Sequence, residues 1–407
     1  MNRLTTAHAE YDLLRWPADP SDQLRAWDAA DAYLLRHLEG PDAPTGTSPD
    51  GTDAAEPGIA PATAEPVDLS GTVVLLGDRW GALATALAQH GPVQIGDSFL
   101  AQEATRANLA ANGLDLDMVR LLSTQDQPPP RIDVLLVRVP KSLALLEDQL
   151  CRLAPSLHPG TVVVGTGMTT EIHTSTLKLF ERILGPTRTS LAVRKARLIF
   201  CTPRPRPTAP VSPWPISYAL PDGVGVVSGR TVSNHAGIFC AEHLDIGTRF
   251  LLQHLPRRDG RELVVDLGCG NGVVGTAVAL ANPQAELLFT DESFQAVASA
   301  RETFAANLGP DRVARFEAAD GLVDVAPGSV DLVLNNPPFH TYRAEGDAVA
   351  WRMFTGARTA LRPGGELWVI GNRHLGYHAK LKRLFGNAQL VASDRKFVVL
   401  RAVRQRR

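Results

Sequence analysis

From Thr72 onward the chain alternates short apolar runs with stretches whose apolar residues recur every three or four positions. The runs predict buried strands and the amphipathic stretches predict helices that cover them. In the first half, strands are expected at Thr72–Leu76, Val93–Ile95, Val134–Val139 and Thr161–Gly165. Helices are expected between them, near Ala82–Gln89, Leu100–Asn112 and Leu143–Leu153. In the second half, strands Leu263–Asp266, Leu287–Thr290 and Val330–Leu334 accompany a helix over Val273–Ala281. This alternation predicts an α/β fold with parallel sheets and crossover helices. Upstream, Leu24, Trp27, Leu34, Leu35 and Leu38 predict a helix over Asp22–Leu38.

The two halves repeat one another. Val73-Val74-Leu75-Leu76-Gly77 aligns on Val264-Val265-Asp266-Leu267-Gly268, with Gly81 on Gly272. Ala110-Ala111-Asn112 falls on Ala305-Ala306-Asn307, and Ile132-Asp133-Val134-Leu135-Leu136 on Val330-Asp331-Leu332-Val333-Leu334. Pro159-Gly160 falls on Pro363-Gly364 in the same order. The expected organisation is a first copy over 1–201, a Pro-rich linker over 202–227 and a second copy over 228–407. Residues 41–70 hold six prolines and few large apolar residues, and are expected to be a disordered insertion.

Composition adds bounds. At 407 residues, 44% hydrophobic and 21% charged, the chain is long enough for two domains with separate cores. No apolar run is long enough to cross a membrane, and the start of the chain does not resemble a signal peptide, so a cytoplasmic location is expected. Cys151, Cys201, Cys240 and Cys269 lie far apart, which suggests neither a disulfide framework nor a metal site. The net charge of −2 is unevenly spread: the second half carries 23 basic and 19 acidic side chains. That mild basic bias is compatible with RNA.

Candidate chemistry lies in the second copy. The strand at 263–266 runs into Gly268-Cys269-Gly270-Asn271-Gly272. Alternating glycines let a backbone approach a nucleoside closely. Asp266 beside the turn would repel a pyrophosphate but suits a cationic, zwitterionic ligand such as S-adenosylmethionine. Asp291 ends the next strand, where it can accept ribose hydroxyls. Asp320 stands where an adenine amino group would need an acceptor. After Val330–Leu334 comes Asn335-Asn336-Pro337-Pro338-Phe339-His340. Proline cannot continue a paired strand. The Asn336 oxygen and the Pro337 carbonyl can each accept one hydrogen of an amino group on a base, with Phe339 stacked on the ring. In the first copy Leu75, Gly96 and Arg138-Val139-Pro140-Lys141 replace Asp266, Asp291 and this tetrad.

The glycine turn, Asp291 and the tetrad resemble the class I S-adenosylmethionine-dependent methyltransferases, a Rossmann-like fold. The segments Asn234-His235-Ala236-Gly237-Ile238-Phe239, Leu244-Asp245-Ile246-Gly247 and Pro363-Gly364-Gly365-Glu366-Leu367-Trp368 are similar to the bacterial large-subunit ribosomal RNA guanine-N2 methyltransferases. That resemblance implies two tandem methyltransferase domains, the first degenerate, and N2-methylguanine in 23S ribosomal RNA as product. It implies cofactor contacts at Asp266, Gly268, Gly270, Gly272 and Asp291, and a base clamp of Asn336, Pro337, Pro338 and Phe339; Asn271, Asp320 and Asn335 are further candidate cofactor contacts, and no metal is expected. The first copy is expected to bind RNA or brace the second. Alternatives are the same chemistry on 16S ribosomal RNA, adenine in DNA, a glutamine side chain (which Phe339 counts against), or a non-catalytic RNA-binding factor.

Overall fold

The computed structural model describes residues 3–18, 24–40, 65–204, 209–309, 311–338 and 343–406, with only the backbone described for 343–346. They divide into two compact units between Pro213 and Trp214.

The first unit opens with an antiparallel pair, β1 (Arg3–Thr5) and β2 (Glu10–Asp12). Helix α1 (Ala29–Glu39) starts later than the apolar spacing predicts. Asp28 accepts the Ala30 N–H at 2.8 Å, and Asp31 accepts the Asp28 N–H at 2.9 Å. This reciprocal cap defines the first turn, so Leu24 and Trp27 precede the helix; residues 22 and 23 lie outside the described residues. The sheet elements then follow as β3 (Val73–Leu76), α2 (Ala82–Ala86), β4 (Val93–Gly96), α3 (Phe99–Ala111), β5 (Arg120–Ser123), β6 (Ile132–Arg138), α4 (Leu143–Leu153), β7 (Leu157–Met168), α5 (Thr174–Ile183), β8 (Thr187–Thr189) and β9 (Ala196–Cys201). The strand order is β5-β4-β3-β6-β7-β9-β8. All neighbours are parallel except β9, which runs antiparallel to both β7 and β8.

The second unit contains β10 (Ile216–Ala219), β11 (Thr231–Asn234), α6 (Ile246–Leu252), β12 (Leu263–Leu267), α7 (Val273–Ala281), β13 (Glu286–Asp291), α8 (Phe294–Leu308), β14 (Arg315–Ala318), β15 (Val330–Asn335), α9 (Arg343–Ala360), β16 (Leu361–Asn372), α10 (Tyr377–Phe385), β17 (Gln389–Ser393) and β18 (Phe397–Val403). Its order, β14-β13-β12-β15-β16-β18-β17, is that of the first unit. Helices cover both faces of the sheet, so its strands are apolar on both sides. Val264 and Leu332 face one core, whereas Val265 and Val333 face the other.

Two expectations need correction. The expected insertion does not extend through 65–70, because the Val67 N–H donates to Leu38 at 2.9 Å and Val67 and Leu69 pack on the first core. Residues 41–64 lie outside the described residues. The expected linker does not extend through 216–227 either: β10 pairs with β11, and Leu220, Val224 and Val227 are buried in the second core. Proline content marked the segment, but its apolar residues decide where it packs. No helix among the described residues is long and apolar enough to cross a membrane.

Where β6 leaves the first sheet, Arg138 is fully buried. Its guanidinium meets Asp28 at 2.5 Å, Asp31 at 3.2 Å and Glu171 at 2.8 Å, and Arg79 also meets Glu171 at 2.8 Å. Burial pushes the Asp31 carboxyl up to about 7 despite the arginine. Burial also opposes ionisation of Glu171, but hydrogen bonds and charge from Arg138 and Arg79 outweigh it and hold that group at about 2. Removing Arg138 would leave Asp31 buried without a cation, while Arg79 would still meet Glu171. Arg138→Met is therefore expected to destabilise the first unit by about 3–5 kcal/mol. Denaturant unfolding followed by a first-unit probe checks this, and an unchanged midpoint would contradict it.

Candidate active site

Strands β12 and β15 are parallel neighbours, pairing Leu267 with Asn335, yet the chain leaves them toward opposite edges of the sheet. A crevice opens at the carboxyl ends of such strands. The glycine turn lies at the end of β12. Gly268 and Cys269 donate their N–H groups to Thr290 at 2.8 and 3.0 Å, which ties the turn to β13. Gly268, Gly270 and Gly272 have φ of 70°, 53° and 73°. At Gly272 a Cβ would lie 2.7 Å from the Ala300 backbone, whereas at Gly270 it would meet nothing within 4 Å. Gly272 therefore allows helix α8 to approach, and Gly270 leaves open space over the turn.

Three carboxylates stand at or just past the carboxyl ends of β12, β13 and β14. Asp266 is buried and accepts the Gly275 N–H at 2.7 Å. Burial raises its pKa to about 7, against that hydrogen bond and with help from the charge of Asp291. Asp291 accepts N–H groups from Gly270 at 3.0 Å and Ser293 at 3.1 Å. Its pKa is raised by burial, in spite of those bonds. Asp320 follows β14 and pairs with Arg352 of α9 at 3.3 Å. Burial raises its pKa as well, while Arg352 opposes the shift. Burial thus opposes ionisation at all three carboxyls, most where no cation faces them.

The β15 exit supplies amides. Asn335 donates through Nδ2 to the Leu267 carbonyl at 2.8 Å, across the β12–β15 crevice. Asn336 donates through Nδ2 to Thr248 Oγ1 of α6 at 2.9 Å. Both Oδ1 atoms are buried and have no hydrogen-bond partner among the described residues. Such an orphaned acceptor costs about 1–3 kcal/mol, so two side by side fit a site whose donors arrive with a ligand. Pro337 is buried and Pro338 exposed. Phe339 and His340 lie outside the described residues. Among the described residues, no group of three or more His, Cys, Asp or Glu side chains is placed to hold a metal.

The structure therefore gathers Asp266, Gly268, Gly270, Asn271, Gly272, Asp291, Asn335, Asn336 and Pro337 around one end of the sheet. Within this group the Asn271 side chain is engaged by the protein itself: it donates to Asn234 at 3.0 Å and accepts the Val273 N–H at 3.4 Å. Thr248, Asn234, Met353 and Arg352 join the site without having been expected there. Met353 lies over Gly268, where a Cβ would meet its Cε at 2.9 Å. These residues come from distant parts of the chain. The one local signal was Asp245, a helix-capping residue type three positions before Thr248.

Comparison with known proteins supplies family and fold. The RLMG N-terminal domain family matches residues 1–205, and the Methyltransferase small domain family matches 229–401. A protein of Streptomyces avermitilis named Ribosomal RNA large subunit methyltransferase G is 68% identical, over 99% of both chains. One of the same name from Stutzerimonas stutzeri is 48% identical, over 98% of this chain and 99% of its own. Among solved structures, the T. Thermophilus 16S rRNA N2 G1207 methyltransferase in complex with AdoMet and guanosine has a TM-score of 0.68 at 23% identity. The match covers 84% of this chain and 90% of that one, and the likeness is one of fold.

The state of Asp266 has a measurable consequence. Its folded pKa, about 7, lies above its ordinary value of 3.8. The stability it allows is therefore complete below about pH 4 and is lost as pH rises through about 7. Asp266→Asn keeps an acceptor for the Gly275 N–H but carries no charge. Without ligand, this variant is expected to match the parent near pH 4 and to exceed it at pH 8 by a few kcal/mol. Thermal melting at the two pH values checks the sign, and an equal difference at both would refute it.

Proposed function

The chain belongs to the ribosomal RNA large subunit methyltransferase G family, and from that premise we propose that it methylates the N2 of a guanine in 23S ribosomal RNA with S-adenosylmethionine as donor. The observation that carries this proposal is the buried Oδ1 of Asn336 at the β15 exit, which has no partner among the described residues. A guanine inside structured RNA must leave its stack to reach such a crevice. Its exocyclic nitrogen is a weak nucleophile, because the lone pair is delocalised into the ring. Asn336 Oδ1 accepts one amino hydrogen and the Pro337 carbonyl the other. Directing both hydrogens to fixed acceptors favours a pyramidal nitrogen whose lone pair points away from them. Prolines at 337 and 338 carry no N–H to compete for these acceptors. Phe339 provides the surface on which the base stacks.

The residues around the glycine turn fit the donor. S-adenosylmethionine supplies an already activated methyl group, so positioning contributes more to rate than a strong base. Asp266 balances its positive charge, Asp291 receives the ribose hydroxyls and Asp320 the adenine amino group. Gly268, Gly270 and Gly272 permit close approach, Asn271 braces their turn, and Asn335 offers its free Oδ1.

The first unit is a degenerate copy on this proposal. Arg138 stands in register where Asn336 stands in the second sheet, and its ionic cluster fills the β6 exit. Asp78 there accepts the Ala84 N–H at 2.8 Å, the role Asp266 has at Gly275, while β4 ends on Gly96 where β13 ends on Asp291. The first unit then serves to bind RNA or to brace the catalytic unit.

Two measurements test these assignments. Asn336→Ala is expected to lower turnover on 23S ribosomal RNA by at least about a hundredfold while S-adenosylmethionine still binds. Mass-spectrometric mapping should then find no N2-methylguanine; normal product, or product on 16S ribosomal RNA instead, would defeat the proposal. Titration calorimetry of the full chain is expected to find one cofactor site, and a second would contradict the degeneracy of the first copy.

A further inference from the structure

We propose that Thr248 and Asp245 are positioning residues for Asn336, locking its amide so that Oδ1 rather than Nδ2 faces the base. The proposal rests on the base-clamp role given to Asn336 above. An amide has a donor end and an acceptor end of nearly the same shape. Only the oxygen can accept a hydrogen from an exocyclic amino group, so a flipped Asn336 would present the wrong chemistry in the right place.

Helix α6 makes the choice. Asp245 caps that helix, and its Oδ2 accepts the Thr248 N–H at 2.8 Å. The same oxygen accepts the Thr248 hydroxyl at 3.2 Å. A hydroxyl has one proton, and a carboxylate is the stronger acceptor for it. Thr248 Oγ1 therefore turns a lone pair toward Asn336, whose Nδ2 donates to it at 2.9 Å. Flipping the amide would set two oxygens face to face with no proton between them. The sequence leaves room for this arrangement: a Cβ at Gly247 would lie 3.0 Å from Asp245 Oδ2 and 3.2 Å from Phe397.

The duplicated sheet offers an independent parallel. Asp28 caps α1 in the first unit, and Asp31, at the same helical position as Thr248, meets Arg138 at 3.2 Å. Each unit thus brings the third residue of a capped helix onto the residue that leaves the central strand. In the first unit that contact is ionic and closes the site. In the second it is a hydroxyl, which leaves the amide oxygen free.

The test is steady-state methylation of 23S ribosomal RNA by the full chain, paired with calorimetric binding of S-adenosylmethionine. Thr248→Val removes the hydroxyl at similar size. It is expected to lower kcat about five- to tenfold, the equivalent of one neutral hydrogen bond, with KM for RNA and cofactor affinity nearly unchanged. Thr248→Ser restores the hydroxyl and is expected to recover most of kcat. A packing role alone would not follow that split or that rescue. Wild-type kcat in T248V, or a T248S variant as slow as T248V, would overturn the proposal. Should T248V not fold, Asp245→Asn caps the helix with an uncharged acceptor and is expected to lower kcat in part, and unchanged kcat would overturn the proposal equally. A wild-type chain that leaves guanine unmethylated would defeat the functional assignment as well; wild-type turnover with T248V unaffected would defeat this proposal alone.

Discussion

A parallel pair whose continuations diverge cannot close its own carboxyl end. In the second unit that pair is β12 and β15, held in register from Val264 and Leu332 to Leu267 and Asn335. Beyond Asn335 the ladder stops, because prolines at 337 and 338 cannot extend it. Whatever stands at the two strand ends must be satisfied by something other than sheet hydrogen bonds. The glycine turn meets that demand by donating to Thr290, and Asn335 meets it by reaching across to Leu267. The two amide oxygens have no partner among the described residues.

The first unit faces the same constraint and answers it differently. Its strand order and register are the same, but Arg138 fills the strand exit with charge that Asp28, Asp31 and Glu171 neutralise. A buried cluster of this kind is weak evidence for added stability. What it does is pair Arg138 at the β6 exit with three carboxylates of the same unit. One frame therefore supports a closed exit and an open one, and side chains at a few strand ends decide which.

Much of the architecture was legible because parallel strands are written as local apolar runs. The repeated runs and the two seven-stranded sheets correspond. The start of α1 was not legible from spacing, since Leu24 and Trp27 fit a helical period that the cap at Asp28 cuts off. Segment 216–227 misled for the opposite reason: it follows the proline-rich run and holds Pro221 and two glycines, while the burial of Leu220, Val224 and Val227 depends on a core contributed from elsewhere. The glycine turn and the tetrad were legible because each is contiguous. Thr248 was not, because 88 residues separate it from Asn336 and only the fold brings them within a hydrogen bond.

These features share an energetic logic. A buried carboxyl with a raised pKa and two amide oxygens without partners among the described residues each make the ligand-free unit less stable than it could be. Each deficit is also specific in kind. Asp266 lacks a cation, the amides lack donors, and Gly270 faces empty space. On the proposed function, a sulfonium-bearing nucleoside and a base with an amino group would bring those missing partners. Ionising Asp266 beside a bound cation must release the proton that burial holds there, so cofactor affinity and proton release are coupled through one carboxyl. On the proposed function, binding offsets these deficits in the second unit, whereas in the first unit Arg138 and its carboxylates satisfy one another at the β6 exit.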